Sequence, residues 1–433
     1  MAASRRPSLL IVSYYFPPWG MGGVQRALKF AKYLPEFGWD VTVIAPHFSR
    51  YYQTDRSLLA DIPETVRIER VATLDLAVWL RGQRRHGSGG VRGERAPAPW
   101  VRSLREWLRW PDDKVVFAMN ARRRAQRLLR EQPFDAVWTT SPPPSVHRVG
   151  LGLHKRIPWI ADFRDPWLAR DDDWGPTRWH VRHARRLRQR IVRTADRLIA
   201  VSEPMAAALD AEGPRHATEV IHNGYDEADF PAGPRLRSPD DPFTILCPGT
   251  FSPHSDPRPI LAAVRALLNA KPGLNLRVVH VGTALRINPA ALAGEYGLAS
   301  IFVDLGYLEH RTSIRALLGA DAIAISVSEL PGFATNIPGR LYEALRSLRP
   351  LVLFGPQDAA VGALVGRLPG CRVVPPSDSR EAAAIIEGIM QLPRDIPARS
   401  IDSIRMFDRR EQARRLAALC DTVRAERSSE MPP

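Results

Sequence analysis

Short apolar runs without polar alternation recur along the chain, and loops rich in glycine or proline follow them. The first run, SLLIVSYYF at residues 8–16, leads through PPWGMGG into residues 24–34, whose apolar positions repeat at helical spacing. A second run, WDVTVIAP, follows at residues 39–46. Strands that are buried on both faces of a parallel sheet are typically continuous apolar runs, so this order predicts a β-α-β unit.

The same scheme is used twice along the chain. Further strand-like runs lie at residues 134–145, 157–167, 195–203 and 218–226, and, after a proline-rich break, at 243–248, 276–282, 301–306, 321–327 and 350–355. The break predicts a linker at residues 228–242 between two Rossmann-like parallel-sheet α/β domains, residues 1–227 and 243–405. Ligands bind beyond the carboxyl ends of such strands, so we expect the two domains to face each other across a cleft.

The last segment, residues 406–433, contains an amphipathic stretch and a polar end. We expect it to form a C-terminal helix and tail that pack back on the N-terminal domain. The start of the chain combines basic and apolar residues as a signal peptide does, but prolines follow the short apolar part where a small-residue cleavage site is typical. We therefore interpret residues 8–16 as the first strand.

Charge and cysteine content limit the function classes. The net charge of +15 favours an anionic partner such as nucleic acid, anionic lipid or a phosphorylated substrate. No zinc-finger, basic-zipper or RNA-binding aromatic motif is present in the sequence, so nucleic acid is not predicted as a partner. Three widely separated cysteines, at 247, 371 and 420, have no zinc spacing and indicate a reducing compartment.

The glycine loop after the first run is not a dinucleotide fingerprint. The third small residue that the fingerprint requires is Gln25, and the second strand ends in Pro46-His47 where an acidic residue should follow. Two interpretations stay open: a tight strand-to-helix connection, or a backbone that approaches an anionic ligand beside a helix N-terminus.

A stronger anion-site pattern is NIPGRLYEALRSLRPLVLF at residues 336–354. Here a Pro-Gly loop opens a short helix, so the backbone N–H groups of Gly339, Arg340 and Leu341 are predicted to be free for a diphosphate, aided by the Arg340 guanidinium. Glu343, expected in the first turn, can accept hydrogen bonds from ribose hydroxyls. Its alternative role is to complement the helix dipole.

Residues near the ends of the first-domain strands are the catalytic candidates. Asp165 in WIADFRDPW can orient or deprotonate an acceptor hydroxyl, or else cap the following turn. His147 is the second catalytic candidate, with a purely structural histidine as the alternative. Asp171 and Asp173 form a D-x-D pair, which we interpret as a solvated acidic loop, with a metal site as the alternative.

Two basic stretches contain aromatic or apolar residues at helical spacing. Residues 178–197 carry eight arginines, and WVRSLREWLRW at residues 100–110 places Trp and Leu among arginines. One interpretation is amphipathic helices packed on a domain with solvated charged faces. The other is docking on anionic lipid headgroups.

Six stretches occur in an order that resembles a known family. They are the N-terminal glycine loop, SPPPSVHRVGLGL, WIADFRDPW, VIHNGYD, PGTFSPHSDPRP and IPGRLYEAL. Together they resemble a GT-B glycosyltransferase of the retaining family 4 type, in particular the bacterial branch that makes cell-surface polysaccharides and glycolipids. The resemblance covers nearly the whole chain and is weakest at residues 75–130. It implies that the C-terminal domain holds a nucleotide sugar and the N-terminal domain the acceptor.

The resemblance also implies roles for single residues. Glu343 matches the second glutamate of the family's E-x7-E motif, which binds the ribose, whereas the first glutamate falls on Thr335. Gly22 and Gly23 match the glycine pair that packs against the donor diphosphate. The family's usual Arg and Lys on the phosphates are not clearly present, and Arg258, with His254 as a second candidate, lies in the corresponding loop.

The function expected from these observations is transfer of a sugar from a nucleoside-diphosphate sugar, the co-substrate, to a hydroxyl of a glycan or lipid-linked acceptor. No other cofactor and no metal ligand are predicted, and retention is implied by the resemblance. We expect a cytoplasmic protein, with an anionic surface on the inner face of the cell membrane as a candidate partner. The alternatives are a nucleotide-sugar epimerase or processing enzyme of GT-B fold, and a non-catalytic membrane-surface binding protein.

Overall fold

The computed structural model describes residues 5–20, 22–47, 54–73, 112, 114–167, 177–231, 240–393 and 397–430. The chain forms two compact units. Met1–His222 and Gln412–Pro433 make up the first unit, and Asn223–Glu411 make up the second. The division after His222 falls a few residues before the linker predicted at 228–242.

The first unit contains a seven-stranded sheet in which every pairing is parallel. Its strands are β1 (Ser8–Ser13), β2 (Asp40–His47), β3 (Arg67–Ala72), β4 (Ala136–Ser141), β5 (Trp159–Phe163), β6 (Arg197–Ala200) and β7 (Glu219–Val220). Their order in the sheet is β3-β2-β1-β4-β5-β6-β7. Every residue of β1, β4, β5 and β6 is buried, as the continuous apolar runs predict.

Helices cover this sheet. They are α1 (Gln25–Tyr33), α2 (Val115–Glu131), α3 (His147–Leu151), α4 (Arg178–Thr194) and α5 (Glu203–Asp210). The C-terminal helix, which we number α12 (Arg409–Glu430), contributes to the same hydrophobic core as β1 and β4. Its core residues are Ala413, Leu416, Ala417, Cys420 and Val423.

The second unit repeats the architecture with a six-stranded parallel sheet. The strands are β8 (Phe243–Pro248), β9 (Leu276–Val281), β10 (Phe302–Asp304), β11 (Ala322–Ser326), β12 (Leu351–Phe354) and β13 (Cys371–Val374), in the order β10-β9-β8-β11-β12-β13. The helices are α6 (Arg258–Ala270), α7 (Pro289–Glu295), α8 (His310–Gly319), α9 (Gly339–Arg346), α10 (Ala360–Val365) and α11 (Ser379–Met390).

Both sheets have a point at which the strand order reverses. The first strand of each unit lies between the second and the fourth, so the switch is at β1/β4 in the first unit and at β8/β11 in the second. In open parallel sheets, ligands bind outside the carboxyl ends of the strands at this point. None of the helices in the described ranges combines the length and hydropathy that a bilayer-spanning segment requires.

Candidate functional site

The guanidinium of Arg340 lies at the switch point of the second sheet. Its Nη2 donates to Ser255 Oγ at 2.6 Å and to the carbonyl oxygen of Ser326 at 3.0 Å, and Nη1 lies 3.4 Å from the carbonyl oxygen of Thr250. Nε is buried and has no acceptor in the described part of the chain. Burial lowers the pKa of Arg340 to about 10, so the group still carries its charge at neutral pH.

No described carboxylate pairs with this partly buried cation, since all three partners are neutral oxygens. A buried charge without a counter-ion is costly, and such groups are concentrated at functional sites. The loop after β8 is shaped around the side chain: Gly249 has φ +98°, and a Cβ there would lie 2.3 Å from Arg340 Cδ. Glycine is therefore needed at 249 for both conformation and space.

The N-terminus of α9 begins beside Arg340. The amides of Gly339 and Arg340 have no acceptor among the described residues, as the first N–H groups of a helix commonly do not. A Cβ built on Gly339 would meet nothing within 4 Å, so space is open above this backbone. The prediction for Leu341 was wrong in one respect, because its amide donates to the carbonyl oxygen of Pro338 at 3.0 Å and is not free.

Glu343 lies in the second turn of α9 and not in the first, because the helix begins at Gly339. The helix-dipole alternative is weakened by this position, since the dipole effect falls off within the first turn. The carboxylate is partly buried, and its Oε1 lies 3.8 Å from His310 Nδ1. His310 Nε2 in turn lies 2.9 Å from Asp229 Oδ2. Glu343 therefore belongs to an Asp229–His310–Glu343 row of ionisable side chains at the side of α9.

Arg258 differs in its surroundings from Arg340. It is exposed at the start of α6, and its Nη1 donates to Asp256 Oδ2 at 2.8 Å. This ion pair raises the pKa of the Arg258 guanidinium. His254 in the same loop is also exposed, with its ring against Phe333. Arg258 thus has the surroundings of a surface arginine, and its donor-binding role stays a prediction.

In the first unit the predicted glycine loop enters a 3₁₀ turn, Gly22–Val24, directly before α1. A Cβ on Gly22 would meet nothing within 4 Å, whereas one on Gly23 would lie 3.4 Å from the ring of Tyr15. Open space above the Gly22 backbone is what a ligand-facing loop requires. Gly23 also accepts a hydrogen bond at its carbonyl oxygen from Arg164 Nη1, at 2.6 Å.

Arg164 and Asp165 have different roles although they are adjacent. Arg164 is buried and its Nε donates to the carbonyl oxygen of Ser141 at 2.7 Å, so it joins β4, β5 and the glycine loop. Asp165 is exposed, and among the described residues its carboxylate has no hydrogen-bond partner. Displacement of water by the surrounding protein raises the pKa of Asp165, and the charge of Arg164 partly opposes this shift.

The alternative of an Asp165 cap is not seen in the described residues. The amide of Trp167 binds the carbonyl oxygen of Asp165, at 2.8 Å, and not the carboxylate. A carboxylate that is solvent-accessible, unbonded and raised in pKa, at the carboxyl end of a central strand, has the properties of a base or an orienting acceptor.

His147 lies in the core, contrary to the expectation of an open position. It is fully buried, and its Nδ1 lies 2.9 Å from Thr139 Oγ1, which also accepts from Trp159 Nε1 at 2.8 Å. Burial lowers the pKa of His147 to about 3, so the ring is neutral at physiological pH and too weak a base for proton abstraction. Its Nε2 has no partner in the described part of the chain.

Sequence reasoning missed a buried ion pair beside these residues. Asp162 Oδ1 accepts from Arg26 Nη2 at 2.7 Å, and Oδ2 accepts from Arg26 Nε at 2.9 Å and from Thr140 Oγ1 at 2.6 Å. Arg26 Nη1 donates to the carbonyl oxygen of His222 at 2.7 Å. The pair fixes α1, and with it the glycine loop, to β5. Asp162 lies within the motif that was singled out, but nothing in the sequence indicates its partner.

Two predicted features lie outside the described residues: the D-x-D pair Asp171 and Asp173, and the basic stretch at residues 100–110. The other basic stretch forms α4, which buries His180, Ala184, Ile191 and Val192. Its opposite face exposes Arg178, Arg182, Arg185, Arg186, Arg190 and Arg193. Trp179 is 53% exposed at the start of this face and stacks on His183, with ring centroids 4.0 Å apart.

Comparisons with known proteins give the family of the first unit and the fold of the chain. Residues 21–224 match the family described as glycosyl transferase 4-like domain. Among solved structures, the chain is similar to a sucrose-phosphate synthase from Thermosynechococcus elongatus at 14% identity and a TM-score of 0.65, covering 97% of this chain and 100% of that one. No curated protein sequence matches the chain.

Two further structures are similar along nearly their whole length. An α,α-trehalose 6-phosphate synthase from Burkholderia multivorans aligns at 14% identity and a TM-score of 0.64, covering 98% of this chain and 100% of that one. WaaG, a glycosyltransferase involved in lipopolysaccharide biosynthesis, aligns at 12% identity and a TM-score of 0.57, covering 96% and 98%. Residues 21–224 therefore match a glycosyl transferase 4-like domain, and the chain as a whole has the GT-B fold of the glycosyltransferases it resembles.

Proposed function

We propose that the protein transfers a sugar, with retention and without a metal ion, from a nucleoside-diphosphate sugar to a hydroxyl acceptor. The acceptor is a growing polysaccharide or a lipid-linked glycan. The observation that carries the donor assignment is Arg340, a partly buried guanidinium with no described carboxylate partner, beside the free amides of Gly339 and Arg340. A diphosphate supplies the negative charge and the acceptor oxygens that this arrangement lacks.

The same groups provide the catalytic effect on the donor side. As the glycosidic bond breaks, negative charge develops on the diphosphate leaving group. Fixed helix-terminal amides and a partly buried guanidinium stabilise that charge without reorganisation, which is the electrostatic contribution that dominates many enzymes. We propose that Glu343, on the next turn of α9, accepts hydrogen bonds from the ribose of the same nucleotide.

A thermal-shift screen with UDP, GDP, ADP and their sugars tests the donor assignment. Ligand at about 100 times its dissociation constant stabilises the folded protein by about 2.7 kcal/mol. Arg340→Lys should abolish the shift, because a lysine cannot keep three hydrogen bonds in the plane of a guanidinium. Arg265→Gln, which changes an exposed arginine on α6 of the same unit, is the matched comparison. An unchanged shift in Arg340→Lys would remove the donor assignment.

On the acceptor side, we propose that Asp165 orients the incoming hydroxyl or takes its proton. Support comes from its exposure, its raised pKa and its place at the carboxyl end of β5. General-base catalysis contributes roughly 10²–10⁴ in rate. Asp165→Asn should keep nucleotide affinity and melting temperature while turnover falls by that factor. Near-normal turnover in this variant would exclude the catalytic role.

Metal independence and retention are tested on the reaction itself. Arg340 and the helix amides supply the positive charge for the diphosphate, so EDTA should leave turnover unchanged. Activity that is lost in EDTA and restored by Mn²⁺ would assign a metal role to Asp171 and Asp173. Retention follows from the family resemblance. An anomeric configuration in the product opposite to that of the donor, observed by NMR, would contradict it.

A lipid-linked acceptor implies work at a membrane surface, and α4 has a suitable face. Its six exposed arginines and Trp179 are accompanied by no acidic residue within Arg178–Thr194. Each basic residue near an anionic surface contributes about 1 kcal/mol, screened over a Debye length. Binding of the protein to phosphatidylserine vesicles should weaken as the salt concentration rises. The double variant Arg182→Gln/Arg186→Gln should bind these vesicles more weakly than the unmodified protein. Equal binding to phosphatidylcholine vesicles at high salt would contradict this face as the cause.

Cys247, Cys371 and Cys420 are buried and form no disulfide bond. This agrees with the expectation of a reducing compartment. The two rival functions predict other outcomes in the same experiments. Isomerisation of the donor without hydrolysis or transfer to any acceptor would favour a nucleotide-sugar epimerase. Vesicle binding without any nucleotide-induced shift would favour a non-catalytic membrane-surface protein.

A further inference from the structure

His280 lies fully buried in β9 with a hydrogen-bond partner at each ring nitrogen. Nδ1 lies 2.8 Å from Asp304 Oδ1, and Nε2 lies 2.9 Å from the carbonyl oxygen of Gly249. The ring also stacks on Phe251 at 3.9 Å between centroids, with 10° between the planes. Two of its three neighbours therefore belong to the loop that follows β8.

The two hydrogen-bond partners determine the protonation state of this imidazole. A carboxylate and a carbonyl oxygen can only accept, and a neutral imidazole donates through only one of its nitrogens. Both hydrogen bonds form together only when the ring carries two protons. We propose that His280 is an imidazolium that positions the donor loop, residues 249–257, through the carbonyl of Gly249.

The position of that carbonyl determines where the rest of the loop lies. The amide of Gly249 donates to the carbonyl oxygen of Val281 at 2.7 Å, and the amide of Phe251 donates to that of Thr283 at 2.9 Å. Gly249 is held on its other side by the Arg340 side chain. The loop then supplies Ser255 and the Thr250 carbonyl to the Arg340 guanidinium. His280 thus acts on the donor site through the loop and touches no ligand itself.

The charged and titratable groups around the imidazole agree with a positive ring. Asp304 approaches from β10 and also accepts from the amide of Gly306 at 3.0 Å. Cys247 is its neighbour across the β8–β9 pairing, and burial raises the pKa of this thiol to about 12, so it is neutral. Arg340, from α9, is the second cation beside Gly249. Two cations and one carboxylate leave the loop positive where a diphosphate would bind.

This inference rests on the proposed function for its effect on donor binding, but two measurements on the free protein test it independently. With ¹⁵N-labelled histidine, the His280 signals should show two protonated ring nitrogens at about pH 7, assigned by their loss in His280→Gln. Hydrogen exchange of residues 249–257 should quicken in His280→Asn, whose shorter amide reaches only Asp304. It should stay slow in His280→Gln, whose longer amide can still donate to Gly249. A neutral ring, or equal protection in both variants, would overturn the proposal.

The functional measurement is calorimetric titration with UDP, GDP and ADP at about pH 6 and about pH 9. Affinity of the unmodified protein should fall about three- to tenfold at the higher pH, the effect of losing one hydrogen bond. His280→Gln should flatten that part of the profile, and His216→Gln, an exposed histidine of the first unit, should not. If His280→Gln showed the same pH dependence of affinity as the unmodified protein, that result would also overturn the proposal for His280. Failure of every nucleotide to bind would count against the proposed function, and the free-protein measurements would still decide the state of His280.

Discussion

The motif WIADFRDPW contains two aspartates, and the structure gives them opposite roles that one experiment can separate. Asp162 is 0% exposed and forms two hydrogen bonds with Arg26, which is 1% exposed. Asp165, three residues later, is exposed, and its carboxylate has no hydrogen bond to any residue in the described ranges. We therefore expect Asp162→Asn to reduce stability strongly, and Asp165→Asn to leave it unchanged.

The magnitude follows from the contacts. An asparagine at 162 turns one acceptor into a donor that faces the Arg26 guanidinium, and it removes the charge that compensates a buried cation. Removing one partner of a buried ion pair costs about 3–5 kcal/mol. For a unit of roughly this size, each kcal/mol lowers the melting temperature by about 2–4 °C, so the expected loss is about 6–20 °C.

Tryptophan fluorescence is the suitable assay, because all eleven tryptophans precede residue 180 and therefore report on the first unit alone. The signal separates this transition from unfolding of the second unit, which otherwise complicates a two-unit protein. Asp165→Asn is the matched control and should stay within about 0.5 kcal/mol. A melting temperature for Asp162→Asn within about 2 °C of the unmodified protein would refute the assignment of a structural ion pair.

Three further outcomes follow from the contacts already described. Gly339→Ala should leave stability unchanged, because its Cβ enters open space, and should weaken the binding of nucleoside diphosphates about tenfold in calorimetry. Gly150→Ala should instead unfold the first unit, since its Cβ would lie 2.0 Å from Trp159 Cε2. Glu343→Ala should weaken the binding of the same ligands by at most about 1.5–3 kcal/mol for each lost hydrogen bond to the ribose. Unchanged affinity would exclude a role in ribose binding for Glu343, which also lies beside His310. Since burial lowers the pKa of His147 to about 3, the unfolded chain gains a proton there as pH falls below about 6.5, and stability should drop by about 2 kcal/mol by about pH 5. His147→Gln should lose that part of the acid sensitivity in urea unfolding, and an unchanged profile would contradict the buried neutral ring.

Hydrophobic patterning predicted the parallel sheets because the central strands are buried on both faces. The runs at residues 8–16, 134–145 and 157–167 contain β1, β4 and β5. β3, with the sequence RIERVA, was missed because it is an edge strand, partly exposed, whose charged residues break the run. β13, with the sequence CRVV, was also missed. It has only four residues, one of them an arginine, and this is too short an apolar run to predict a strand.

The site was predictable where it depends on local backbone and less so where it depends on tertiary contacts. The Pro-Gly start of α9 is visible in the sequence, and so are Gly339 and Arg340. The position of Glu343 in the second turn depends on which residue begins the helix, and such boundaries vary by one or two residues. The burial of His147 and the pairing of Arg26 with Asp162, 136 residues apart, follow from packing that no local pattern records.

The C-terminal helix has a consequence for the order of synthesis. Residues 1–222 leave the ribosome before the second unit, but Ala413, Leu416 and Cys420, which fill part of their core, are made after it. The second unit, residues 223–411, is continuous and can complete its core while the first still exposes apolar surface. A stop codon shortly after residue 411 would therefore damage the part of the protein that was translated first, and a nascent chain of that length should be a better substrate for chaperones than the finished one.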